Sequence, residues 1–187
     1  MVISTTVLAA YHYNQHGVDL AGLLLRLILG ITMIAHGYNH IWGGGKIEGT
    51  GRWFASLGMK PGPVHAWLAS LTELGAGAML IVGLLNPVAA AGVVGVMTVA
   101  LIINHFKNGF FIFRPGEGYE YVLNLAIAAL ALGALGPGKY SIDRFIGHQP
   151  AGYKGLAITA VLGIGGALLL LAVFWRPEKK QDDAAAA

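Results

Sequence analysis

"VDLAGLLLRLILGITMIAHGYNHIWGGG", residues 18–45, decides the fold. It is an apolar run interrupted by a single arginine, Arg26, and it closes on two histidines before dissolving into glycine. A helix needs roughly 17–25 such residues to cross a hydrocarbon core, and this run has them. His36 and His40 stand four apart, so a helix carries them on one face, one turn above the other. Gly43 to Gly45 let the chain leave the helix.

Composition generalises what that stretch suggests. Of 187 residues, 56% are hydrophobic and 11% charged, and the mean hydropathy is +0.64. A soluble domain carries about 25% charged residues, so the chain reads as a membrane protein in contact with a lipid bilayer. The net charge of +3 does not signal nucleic acid, because the basic residues fall between apolar runs rather than on one patch. There is no cysteine, which excludes disulfides, thiol redox pairs and Cys-based zinc sites. The N-terminus lacks the basic start and long apolar core of a cleaved signal peptide.

Five apolar segments are expected to span the membrane: Val18–Trp42, Val64–Leu85, Pro87–Phe106, Tyr119–Leu135 and Gly155–Trp175. Nothing alternates as a barrel strand would, so the fold class is all-α, a bundle of membrane helices. "LLNPVA" predicts a tight hairpin between the second and third spans, with Pro87 in the first turn of a new helix. Eight Lys and Arg residues collect on one side of this topology: Lys46, Arg52, Lys60, Lys107, Arg114, Arg176, Lys179 and Lys180. Three, Lys139, Arg144 and Lys154, fall on the other. The asymmetry orients the N-terminus outside and the C-terminus in the cytoplasm. Residues 1–17 are read as an extracytoplasmic segment and 177–187 as a polar cytoplasmic tail. In the first long loop, Trp53, Phe54 and Leu57 share a face flanked by Arg52 and Lys60, as in a helix lying in the membrane interface. Gly58 and Pro61 end it. Small residues recur four apart at Ala91/Gly95, Ala129/Gly133 and Gly163/Ala167. Close packing within the bundle is preferred over a dimer motif, and self-association is left open.

Ionisable groups inside a membrane are expensive, so each is a functional candidate. Arg26 lies about eight residues from the outer end of its span and Glu73 about twelve from the outer end of its own, a depth difference of ~6 Å at helical rise. They are expected to pair, either to lock two helices or to bind a substrate. At the opposite side the topology gathers His36, His40, His65 and His105 at one depth, with Asn104, Glu120 and Asn124. A zinc protease needs Glu directly after its first ligand, whereas Gly37 follows His36. Di-iron oxygenases need more histidines and carboxylates. No metal site is expected. A haem between His36 or His40 and His105 is geometrically open, and so is the plain reading of interfacial histidines with their polar tips in the headgroup region.

Three stretches together resemble the DoxX family of small bacterial membrane proteins. They are "LLRLILGITMIAHGYNHIWGG", "FASLGMKPGPVHAWLASLTELGAGAMLIVGLLNPVAA" and "GYEYVLNLAIAALALGALGPGKYSIDR". The likeness runs from about Val18 to Arg144 and rests on Arg26, His36, Leu57-Gly58, Glu73 and the Glu120-Tyr121 pair in that order. The family commonly has Lys where this chain has His40. The resemblance implies a four-helix domain over 18–144 in the bacterial plasma membrane, and the loop and helix of 145–176 extend beyond it. It also implies redox company, since relatives serve as membrane subunits of thiosulfate:quinone oxidoreductase and are linked to sulfur metabolism and oxidative-stress defence. With no cysteine, an electron path through this chain must use quinone, haem or a partner protein. On this view His36, His40, Asn104, His105, Glu120 and Asn124, with Glu73 nearby, form a polar pocket suited to a quinone headgroup. Two other readings stay open: a non-catalytic scaffold that docks soluble redox enzymes, and a small transporter using Arg26 and Glu73.

Overall fold

The computed structural model describes residues 5–177. The expected polar tail, apart from its first residue, and the terminal alanines lie outside the described residues. The chain is all-α. Helix α1 (Thr5–Trp42) is followed by α2 (Lys46–Ser56), α3 (Gly62–Val82) and α4 (Asn86–Ala100). A π-helical turn, Leu101–His105, prolongs α4. Then come α5 (Glu120–Leu135), the single turn α6 (Ile142–Phe145), α7 (Gly152–Ala160) and α8 (Gly166–Phe174). A second π-turn, Val161–Gly165, joins α7 to α8 as one rod.

Among the described residues, four helices are long and apolar enough to cross a membrane: 15–42, 62–82, 86–108 and 152–174. The fourth expected span, α5, is apolar but has only 16 residues, about 24 Å at helical rise. The helix of α1 begins at Thr5 rather than at residue 18, so much of the expected N-terminal segment continues the first rod.

Five rods run alternately up and down. One end of the bundle holds the 83–86 turn and the 136–151 loop (the Asn86 end). The other holds α2, the 109–119 loop and Trp175 (the His36 end). Gly83 adopts a left-handed conformation (φ 67°), and the amides of Gly83 and Leu84 bond back to Leu80 and Met79. This closes α3 in the way that glycine at that position permits. Pro87 then opens α4, so the hairpin read from the sequence is formed.

Along α1 and α3, glycines let two backbones touch. A Cβ on Gly30 would sit 2.7 Å from the Gly77 carbonyl oxygen, and one on Gly77 would sit 2.7 Å from that of Gly30. The small-residue pairs are spent inside the chain in the same way. Gly163 faces Ala91 and Val94 of α4, and Gly133 of α5 abuts Thr159 and Gly155 of α7. The fifth rod is therefore an integral wall: buried Thr159 donates to the Pro87 carbonyl (3.0 Å).

Helix α2 departs from a purely interfacial role. Phe54 is buried in a cluster with Met59, Ala66, Ile103 and Leu171, and Gly51 lies against Pro63. Trp53, Ala55, Ser56 and the charged residues of this segment stay exposed. The end of α8 is fastened onto the same loop. Lys60 N donates to Phe174 O (3.2 Å), Arg176 N to Gly58 O (2.7 Å), and the Trp175 indole to Leu57 O (3.0 Å).

Candidate functional site

Buried polar groups fall into two layers. The Asn86 end holds the first. The carboxylate of fully buried Asp143 accepts from the amides of Leu85 (2.8 Å) and Asn86 (2.7 Å), so it caps α4, where the helix dipole favours an anion. Asn86 Nδ2 donates to Leu132 O (3.0 Å). Asp19 accepts from the Lys139 amide (2.9 Å). Arg26, also fully buried, donates to the carbonyls of Leu80 and Tyr140 and lies within the field of Asp143.

The expected Arg26–Glu73 pair is not formed; Glu73 instead pairs with His40, Nδ1 to Oε2 at 3.0 Å. Arg26 is level with Leu80 and Gly83, seven to ten residues beyond Glu73 along α3, or ~10–15 Å. Side chains also tilt toward the N-terminus of their own helix. Since α1 and α3 are antiparallel, Arg26 leans to the Asn86 end and Glu73 to the His36 end. Tilt widens the gap that depth had opened.

The second layer lines a cavity of about 560 Å³ that runs from the His36 end along α4 as far as Val88. Its walls are mostly apolar, with Leu68, Val99, Ile103, Ala167 and Leu170 among them. Its polar lining comprises His36, His40, His65, Thr72, Glu73, Asn104, His105, Glu117 and Tyr121. Glu73 is 2% exposed. Its approach to His40 is short, but the angle is poor for a hydrogen bond, and both facing atoms lack another partner. At the rim, His36 Nε2 lies 3.3 Å from the Tyr121 hydroxyl, and the two rings stack at 6.1 Å. Both π-turns supply lining residues, Asn104 and His105 from one, Leu162 and Gly163 from the other. π-turns of this kind recur at functional sites.

Asn104 and His105 are tied to each other and to the 109–119 loop. His105 Nδ1 is 2.9 Å from Glu117 O, a contact only an N–H can make. Its Nε2 therefore accepts from Asn104 Nδ2 (3.3 Å). Among the described residues no three His, Asp or Glu side chains group to hold a metal ion.

Two expected site residues stand apart. Glu120 Oε2 accepts from the Ile112 amide (3.2 Å), and Asn124 donates to Glu120 O (2.9 Å) on an exposed face; neither lines the cavity. Helix α5 turns Val122 inward, which carries the Glu120/Asn124 face away from the cavity and brings Tyr121 to its rim. The expected pocket leaves out four lining residues: His65, although the topology gathers it at this end, and Thr72, Glu117 and Tyr121. Three had a signal: 65, 72 and 73 recur at i, i+7 and i+8, one face of α3, and Tyr121 adjoins the flagged Glu120. Glu117 sits in an irregular loop with no periodicity to mark it.

The DoxX family model matches residues 21–106, which take in most of α1, all of α2 and α3, and α4 with its π-turn. No curated protein matches the chain, and no solved structure does.

Proposed function

We propose, from the premise that residues 21–106 make this chain a DoxX-family integral membrane protein, that its central cavity binds a quinone headgroup and that it serves as the membrane subunit of a redox complex. The carrying observation is buried Glu73 paired with half-buried His40 on the wall of a largely apolar cavity of about 560 Å³. Small-molecule sites have this character: apolar walls, a volume of about 300–1,000 Å³ and a few convergent polar groups.

The residues fit such a ring. Apolar walls from α3, α4 and α8 accept its faces, the His40 imidazole offers an N–H to a carbonyl, and the Glu73 carboxylate beside it offers an acceptor to the hydroxyl of the reduced ring. His36 and Tyr121 guard the rim with a second imidazole and a hydroxyl. A quinone, when bound, supplies two-electron, two-proton redox chemistry; this chain binds it, excludes water and holds protons. Haem fits less well, since both ring nitrogens of His105 are already engaged.

The transporter reading loses its main support with the absent Arg26–Glu73 pair. A pure scaffold leaves an ionisable pair buried in the membrane for no gain, since such pairs are costly to desolvate. The basic loops at the His36 end support docking of a soluble partner there, and their charge favours an orientation with that end in the cytoplasm of a bacterial cell. Cysteines at Ser56 and Gln149 should then label from the inner and outer faces respectively, and the reverse pattern would invert the orientation.

The binding test uses the full chain in lipid nanodiscs with decylubiquinone. Saturable binding that weakens at least ~10-fold in Glu73→Leu is expected for loss of a buried polar contact. Absence of saturable binding to the wild-type chain would remove the proposal.

A further inference from the structure

His65 is the one histidine of the cavity left with no partner. It is 2% exposed, it lines the cavity, and neither ring nitrogen makes a hydrogen bond. Its ring is fixed edge-on against Phe174, with centroids 5.1 Å apart. Phe174 is in turn held by the bond from Lys60 N to its carbonyl. An unpaired buried polar group is destabilising, so whatever pairs with His65 gains from doing so.

Its position relative to Glu73 gives that gain a direction. The two are eight residues apart on α3, ~12 Å along the axis and about 80° apart around it. Both line one cavity, with Ala69 and Thr72 between them on the same wall. The facing walls, Ile103 from α4 and Leu170 from α8, are apolar. The Glu73–His40 pair, with Thr72 beside it, and His65 thus stand ~12 Å apart on one wall of the cavity, facing apolar walls.

We infer that His65 is a second anchor of this site and that the ligand carries hydrogen-bonding oxygens at two opposite edges of a flat apolar body. The inference rests on the quinone reading and narrows it to 1,4-quinones, whose carbonyls point in opposite directions from the ring. His40–Glu73 engages one oxygen and His65 the other. A 1,2-quinone, with adjacent oxygens, leaves one end unpaired. The fifth rod thereby gains a role: through Phe174 it sets the ring of His65, and through Leu170 it closes the wall between the anchors.

The test measures equilibrium binding of decylubiquinone and of a decyl-substituted monophenol, which has one ring oxygen, to the full chain in nanodiscs. His65→Phe should weaken decylubiquinone at least ~10-fold, the effect of one lost buried hydrogen bond. His65→Gln, which restores a donor and an acceptor, should recover affinity to within ~3-fold, and the monophenol should change by no more than ~3-fold in His65→Phe because it can turn to Glu73. In wild-type protein, one ring ¹⁵N resonance of His65 should shift on adding decylubiquinone, a readout that survives if the variants do not fold. Undiminished decylubiquinone binding in His65→Phe, or an unmoved His65 resonance at saturation, overturns the second anchor while leaving the quinone reading intact. Wild-type protein that binds neither probe overturns both.

Discussion

The two polar layers are built from similar residues to opposite ends. At the Asn86 end, Asp143, Asp19 and Arg26 direct their charge at backbone groups: two amides opening α4, the Lys139 amide, and the carbonyls of Leu80 and Tyr140. The atoms left over there, Arg26 Nε and Asn86 Oδ1, belong to residues that do not line the cavity. At the His36 end, Glu73, His40 and His65 hold unpartnered atoms, and all three residues line it. An ionisable group in the membrane is thus a functional candidate only until its partners are counted. Saturation by backbone marks a scaffold, and orphaned atoms around a cavity mark a site.

The largest expected effect breaks the first layer. Asp143→Ala strips the cap from α4 and leaves Arg26 without its nearest carboxylate. Removing one member of a buried charged set costs ~3–5 kcal/mol, so thermal unfolding in detergent should move sharply down. Molecules that remain folded should bind decylubiquinone with unchanged affinity; a loss of affinity among them would blur the distinction between layers.

A smaller effect sharpens the boundary. Gly30 and Gly77 meet between the two layers, where an added Cβ lies 2.7 Å from the opposing carbonyl. Gly77→Val should cost ~1–3 kcal/mol by overpacking, read as a lower midpoint in thermal unfolding. Because the helices must separate beside the Glu73–His40 contact, decylubiquinone affinity should fall with it. An unchanged midpoint would mean that the close approach is not needed.

The smallest expected effect is an absence of coupling. Arg26→Gln and Glu73→Gln act on layers ~10 Å or more apart along α3. Their effects on stability should add to within about 0.5 kcal/mol. Marked non-additivity would join what the geometry separates.

Much of this was legible in the chain. The apolar runs, the Pro87 hairpin and the gathering of His36, His40, His65 and His105 at one end follow from length, proline chemistry and alternation of direction. The error over Arg26 came from comparing Cα depths alone. In antiparallel helices side chains lean apart or together according to which residue lies nearer its own N-terminus, and for Arg26 and Glu73 they lean apart. Asp143 was hidden for a different reason: its role depends on a loop 57 residues from the amide it caps, and no local periodicity carries such a contact. Glu120 pointed to the right turn of α5 but the wrong face, because rotation is set by Val122 entering the core.

A ligand-induced thermal shift tests the assignment of the site most directly, measured with decylubiquinone on three proteins: wild type, Asp19→Asn from the first layer and Glu73→Leu from the second. Binding to the folded state raises its stability in proportion to ln(1 + [L]/Kd). The unfolding midpoint should rise with ligand in wild type and in Asp19→Asn, whatever its starting value, and should rise clearly less in Glu73→Leu. A full rise in Glu73→Leu, or a rise lost only in Asp19→Asn, would contradict the assignment of the site to the His36 end.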